Sequence, residues 1–361
     1  MGQKSSVLVD EPKISDEWYD YQVSQQAKHI DFDVEAWYKI LEKETFHTEF
    51  ISLDTSTAQA FIDYYQTYYN SKCLLKKNGI KLIQSIQKQL KERISKSTAT
   101  NFFVRFSSRS PKDGRSLNAD RFDQFYDAEL NRLSTQYPDE SNHANLKMIA
   151  ISYAQFHTLK TTNEIEALCL ILSSERVFVD LLEALACYKV NNSSWNNNII
   201  LREWNDRLDP SMEFRCFVYQ SKLTAISQYN HYCKFNHLQD ADIIQQIKTT
   251  IVQYWQTKIQ PLLDPFPEKY ANYVIDIGLL GIDNFDCIVI EMNPFQTSTG
   301  ASLFDWRIDN DLLKGKSGNE IEIRVNHDYC ENIDNFVEYI LKEQHSTSEE
   351  PYFTVLNKLC S

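Results

Sequence analysis

The chain has 361 residues, 42% of them hydrophobic, with 20 Tyr, 20 Phe and a formal net charge of −13 at pH 7. That composition belongs to a globular chain with apolar mass enough for two or more lobes, and it excludes intrinsic disorder. The acidic balance argues against wrapping duplex nucleic acid, so no direct nucleic-acid partner is expected, and no apolar run comes near the roughly 18 residues of a spanning helix.

Residues 1–25 are polar and read as a flexible tail. It opens Met1-Gly2-Gln3-Lys4-Ser5-Ser6, which fits the myristoylation pattern with Gly2 as acceptor and Ser6 as the hydroxyl residue. One acyl chain tethers only weakly, so the expectation is a cytosolic protein with at most a marginal membrane contact through Gly2. No basic-then-apolar leader with a small-residue cleavage site is seen.

Residues 26–195 read as a mixed α/β lobe. The stretch DVEAWYKILEKE suggests a short helix, followed by an extended HTEFISL. At 79–95, Ile80, Ile83, Ile86, Leu90 and Ile94 recur at three- and four-residue steps and predict an amphipathic helix. Asn101–Phe106 reads as a strand running into the cationic loop SSRSPKDG. Residues 114–145 read as an inserted loop or surface helix, and Ala150–Phe156 as a further strand. Thr161 and Glu164 form a capping-box pattern for a helix through Leu172, and 174–188 carries a second apolar stripe.

The Asn/Ser-rich turn Asn191–Asn198 marks a lobe boundary near 195. Residues 196–330 form the second lobe, with predicted strands Ile199–Trp204, Met212–Tyr219 and Lys222–Tyr229 and a hairpin turn at Gln220-Ser221. A helix is predicted over 241–258, then strands Tyr273–Ile277 and Asp286–Met292 joined through Gly278, Gly281, Asp283 and Asn284. Residues 331–361 supply a helix at 331–344 and a tail containing STSEEP. The order of elements is that of an α+β chain. It contains neither a GxGxxG nor a GxxxxGK[ST] phosphate loop. The eight cysteines form no CxxC pair, so neither structural zinc nor a disulfide framework is expected.

The last strand pair carries the candidate metal site. Side chains alternate along a strand, so Glu291 and Asn293 share a face to which an antiparallel partner can bring Asp276. Three hard oxygen donors suit Mg²⁺, which fills its shell with water and phosphate oxygens. On the strand MEFRCFVY, Glu213 and Arg215 share the face opposite the core. Arg215 suits phosphate oxygens, and Glu213 suits ribose hydroxyls or the orientation of Arg215; a structural ion pair between them is the alternative. Arg202-Glu203-Trp204 at a strand end suits an adenine hinge with Trp204 as apolar wall. Arg105 and Lys112, with Arg109, make the first lobe's cationic loop a phosphate candidate.

The stretches LREWNDRLDPSMEFRCFVYQSKLTAISQYNHY, YVIDIGLL, CIVIEMNPF and SLFDW, with AWYKILEKETFHTEFISL and VRFSSRSPKD upstream, resemble the cell division cycle protein 123 (D123) family over most of residues 30–310. The resemblance implies an ATP-grasp-like fold of two lobes with the nucleotide between them and an antiparallel sheet in the C-terminal lobe. It implies ATP and Mg²⁺ as cofactors, with Asp276, Glu291 and Asn293 at the metal, Arg202–Trp204 at adenine, and Glu213 and Arg215 facing the nucleotide. The implied partner is the gamma subunit of eukaryotic translation initiation factor 2, which such proteins help to join the alpha subunit, and a monomer is expected. The family commonly has Asp-x-Asn where Glu291-x-Asn293 stands, and a lysine where Arg105 stands. Against this assembly chaperone stand an ATP-grasp enzyme that phosphorylates or ligates a carboxylate, and a scaffold whose site is disused.

Overall fold

The computed structural model describes residues 30–69, 77–138, 144–191, 195–281, 285–318, 320–329 and 333–345. The Gly2 motif, Asp283, Asn284, the middle of the Asn191–Asn198 turn and the STSEEP tail lie outside the described residues.

Two sheets organise the chain, which is α+β as expected. The first has the order β1-β4-β2-β3, with β1 Thr48–Leu53, β2 Phe102–Phe106, β3 Lys160–Thr161 and β4 Asn197–Glu203, all antiparallel. The second has the order β8-β7-β5-β6-β9, with β5 Leu208–Tyr219, β6 Lys222–Gln228, β7 Tyr273–Leu280, β8 Asp286–Pro294 and β9 Glu322–Arg324. Only β9 runs parallel to its neighbour, β6. Because β4 pairs with β1 and β2, the chain passes from one sheet to the other between Glu203 and Leu208 rather than near residue 195.

Helix α1 (Val34–Trp37) precedes β1, and α2 (Thr55–Tyr69) and α3 (Lys77–Lys96) follow it. Helix α3 buries Ile83, Ile86 and Leu90 at helical spacing. They join Ile51, Leu53, Phe102, Val104, Phe106, Ile199 and Leu201 from one face of the first sheet in a single apolar cluster. Residues 115–145 contain α4 (Arg121–Gln136), which packs on α5 (Ala144–Thr158). Ala150–Phe156 therefore lies in a helix, not the predicted strand. Its Leu146, Ile149, Ala150, Ile151 and Ala154 are all buried in the core that also lines the second sheet. Helix α6 (Glu164–Ser173) is capped by Asn163, whose side chain accepts from the backbone N–H groups of Ile165 and Glu166. In return the Glu166 carboxylate accepts from the Thr162 N–H at 2.8 Å, and the cap sits two residues beyond the predicted Thr161. Helix α7 (Glu175–Asn191) completes this half.

The hairpin β5–β6 turns on Gln220 and Ser221, both in the left-handed region at φ 49° and 55°. That is the twist a two-residue hairpin requires. Helix α8 (Ala241–Tyr254) continues through a π turn, Trp255–Ile259, into α9 (Gln260–Leu263), where Pro261 lacks the N–H that would close an α-helical bond. Short helices α10 (Pro267–Tyr270) and α11 (Asn310–Leu313) and the final α12 (Ile333–His345) complete the fold.

Alternation divides the second sheet. Phe214, Cys216, Ile275, Ile277, Val289 and Met292 face the helical core, while the other face carries Arg215, Asp276 and Glu291 beside a smaller apolar cluster of Phe217, Ala225, Val274, Phe304 and Leu313. The outer edge of β8 is covered, since Thr45 bridges to Val289 and the Val289 N–H donates to the Glu44 carbonyl at 2.8 Å. That pairing occupies the strand edge at Val289.

Candidate functional site

The site grows from one row of the second sheet. Strand register sets Glu291 opposite Asp276, Asp276 opposite Arg215, and Arg215 opposite Ser227. Asp276 and Glu291 are thus direct cross-strand neighbours on one face, as alternation predicts. A register shift between Asp276 and Ile277 inserts Ile290 as an extra β8 residue, which keeps Glu291 on this face while Val289 stays in the core. Asn293 lies opposite Val274, one step along the same face. Opposite Glu213 stands Gly278, where a Cβ would come 2.4 Å from Leu208 Cδ1, so a larger residue would have to displace the Leu208 side chain.

Every charge in the row has a partner of opposite sign. Arg215 donates from Nε and Nη2 to both oxygens of Asp276 at 2.8 and 2.7 Å, and from Nη1 to the Gly300 carbonyl at 2.6 Å. The structure therefore pairs Arg215 with Asp276 across the strands, not with Glu213 on its own strand. Asp276 is 1% exposed, and a bidentate guanidinium is the geometry that makes such burial tolerable. Glu291 meets Arg105 Nη2 of β2 at 2.8 Å. Burial works to raise the Glu291 pKa, but Arg105, Lys112 and Arg215 outweigh it and hold the carboxyl at about 2.

The first sheet supplies the opposing wall. Arg105 is itself 2% exposed, and it donates to the carbonyls of Phe106 and Ser108, both at 3.1 Å. Arg202, opposite Phe103 in β2, donates to the Ile290 carbonyl at 2.7 Å and to Thr45 Oγ1 at 2.5 Å, with its guanidinium carbon 4.5 Å from the Phe46 ring centre. Burial first, and then Arg105, lower its pKa to about 9. Lys112 donates to the Tyr229 hydroxyl at 2.7 Å. Lys112 is an exposed residue, and although the protein around the ammonium works to lower its pKa, Tyr229, Glu213 and Glu291 raise it above the ordinary lysine value. The Glu213 pKa is also raised, to about 7, by burial first and then by Asp276 and Glu291 against Lys112 and Arg215.

Arg105, Lys112, Arg202, Glu213, Arg215, Asp276 and Glu291 are thus gathered in one region, with Asn293 one step along the same strand face. Glu203 and Trp204 have their partners elsewhere. Glu203 takes Ser97 Oγ at 2.7 Å and His47 Nδ1 at 3.3 Å, and Trp204 packs against Phe156 with ring centres 4.7 Å apart. Their N–H groups already donate to the carbonyls of His47 and Asn101. Arg109 binds Asp180 on α7, so the cationic loop turns only Lys112 to the cluster. Tyr229, Ser227 and the Gly300 carbonyl belong to the site and carry no charge that would single them out. The register of β6 is the feature that reaches the first two.

The donor set fits Mg²⁺. Asp276 and Glu291 offer carboxylate oxygens, and the buried Asn293 Nδ2 has no hydrogen-bond partner, so the amide is free to present its oxygen instead. Among the described residues no group of three or more His, Cys, Asp or Glu is placed to hold a metal unaided. Mg²⁺ with one or two carboxylates and substrate phosphates needs no such cage.

The D123 family model matches residues 37–352. Two curated relatives are each called translation initiation factor eIF2 assembly protein. The one from Dictyostelium discoideum is 30% identical over 156 residues, 42% of this chain and 37% of the relative. The one from Danio rerio is 32% identical over 123 residues, 34% of this chain and 31% of the relative. The chain thus spans about a third of the length of these relatives. Its fold is similar to the structure of Cdc123 from Schizosaccharomyces pombe, with a TM-score of 0.52 and 20% identity over 82% of this chain and 97% of that one. The C-terminally truncated form gives 0.55 and 20% over 84% and 98%. With the family match extending from β1 through the carboxylate strands to α12, the chain belongs to the D123 family.

Proposed function

We propose that this chain binds ATP with Mg²⁺ between its two sheets, in the manner of ATP-grasp proteins, and uses that binding to assist assembly of translation initiation factor 2. One observation carries the reading. Asp276 and Glu291 stand side by side on adjacent strands, with Arg105, Arg215 and Lys112 gathered around them from both sheets. Packing this many charges around two carboxylates costs more than apolar residues of the same volume would, which favours a polyanionic ligand over a purely structural role.

Asp276, Glu291 and Asn293 would hold Mg²⁺, and Arg105, Lys112 and Arg215 would take phosphate oxygens. The metal, when bound, supplies neutralisation of triphosphate charge. The residues of the chain do the rest. Arg215 is aimed by its two bonds to Asp276, Arg105 by its backbone carbonyls, and Glu213, raised to about 7, carries less negative charge toward the phosphates at neutral pH than an ordinary carboxylate would. Arg202, Glu203 and Trp204 would serve adenine through side chains, since the N–H groups of Glu203 and Trp204 are engaged with His47 and Asn101. A nucleotide that binds one arrangement of the two sheets better than another shifts the chain toward it, and a protein client that reads this arrangement is thereby gated.

The assembly role rests on the names of the relatives and on the family. The gamma subunit is the partner proposed here, with the alpha subunit joining it. Purified chain mixed with gamma subunit should give a complex on gel filtration that tightens with ATP and Mg²⁺ and promotes capture of the alpha subunit. No complex in any nucleotide state would refute the assembly role.

A further inference from the structure

Tyr229 stands one residue beyond β6 and has no role in the reading above. Its backbone N–H donates to the Glu213 carbonyl at 2.9 Å, which fixes it beside β5. Its hydroxyl accepts the Lys112 ammonium at 2.7 Å, and that nitrogen lies 4.8 Å from the ring centre. The guanidinium carbon of Arg215 lies 4.9 Å from the same centre. One aromatic ring thus attracts two cations that repel each other. One of these cations belongs to each half of the molecule, since Lys112 follows β2 of the first sheet and Arg215 sits in the second.

The loop that carries Lys112 is fixed at its other residues. Arg109 is bound to Asp180. Asp113 accepts Ser174 Oγ at 2.6 Å and the Arg176 N–H at 3.1 Å. At Gly114 a Cβ would come 2.4 Å from the Leu170 carbonyl oxygen, so the loop lies flush on the end of α6. The mobile part is the four-carbon lysine stem, with several rotamers to lose. A carboxylate partner would hold the ammonium but also neutralise it and compete with an incoming anion. A neutral phenol holds it and leaves its charge available.

We propose that Tyr229 is a positioning residue that fixes the Lys112 ammonium beside Arg215, Asp276 and Glu291 for a phosphate group of the nucleotide. The proposal rests on the nucleotide reading and names how one of its cations is placed. Tyr229→Phe keeps the ring and removes the hydroxyl, and Lys112→Met removes the ammonium.

Two readouts test it. In the absence of nucleotide, labelling by an amine-reactive reagent with peptide mass spectrometry should show Lys112 more reactive in Tyr229→Phe by about tenfold or more, as expected for loss of a hydrogen bond to a charged group. Lys88 of α3, whose side chain is 79% exposed, is the internal standard. For binding, Tyr229→Phe should weaken Mg²⁺–ATP about tenfold in the native background and not further in Lys112→Met, because a residue acting through another loses its effect when that other is gone. Unchanged Lys112 labelling, or a full loss of affinity retained in the Lys112→Met background, would overturn the proposal. Should the unmodified chain bind no nucleotide, the nucleotide reading falls, while the labelling still decides whether Tyr229 holds Lys112.

Discussion

Arg215 and Asp276 form the most deeply buried ion pair of the row, with side chains 10% and 1% exposed. Removing one partner strands the other charge away from water. Asp276→Ala should therefore destabilise the chain by about 3–5 kcal/mol, read as a lower denaturant midpoint at unchanged slope. Glu291 and Glu213 respond to pH in opposite senses. Glu291 is held at about 2, so its stabilising contribution is present above the ordinary value of 4.5 and is lost as the pH falls toward 2. Glu213 is raised to about 7, so it binds its proton more tightly in the folded chain, and its contribution is lost as the pH rises from 4.5 through about 7. Glu213→Gln should flatten the decline in stability over that window by roughly 1–3 kcal/mol, measured by urea unfolding at a series of pH values. The facing of Asp276, Glu291 and Asn293 was legible because a strand has a period of two. The partner of Arg215 was not, because Glu213 is near in sequence while Asp276 is reached only through a register that pairs residues 61 apart.

The elements repeat this contrast between local and distant information. The β5–β6 hairpin could be read from two short runs with two residues between them, and its turn carries a cost that the sequence reveals once the geometry is known. Gln220 and Ser221 both have positive φ, and neither is Asn or Gly. Gln220→Asn with Ser221→Gly should stabilise the chain by about 1–2 kcal/mol, seen as a higher thermal midpoint. Helix α5 resisted reading for a physical reason. It packs against α4 on one side and the second-sheet core on another, so apolar residues surround it and its period is blurred. Likewise β9 is three residues long, and nothing in Glu322–Arg324 announces a parallel pairing with β6.

On the scale of the whole molecule, the α+β class followed from the order of elements, but the passage between sheets did not. The Asn/Ser-rich turn near 195 marks a change in composition, whereas the pairing of β4 with β1 joins residues about 150 positions apart and moves the passage beyond Glu203. The consequence is functional: β4 carries Arg202 into the first sheet, and the same wall brings Arg105 against Glu291 of the second. The two sheets thus meet through charge and carbonyl contacts at the site, while elsewhere Ile200 of the first sheet shares an apolar cluster with Phe214, Cys216 and Ile275 of the second. An interface of that kind is suited to admit a polyanion, and that is the central claim. Calorimetric titration with ATP tests it most directly. The account predicts one-site binding that requires Mg²⁺ and disappears in the isosteric Glu291→Gln variant, and a folded native chain that gives no heat with ATP and Mg²⁺ would contradict it.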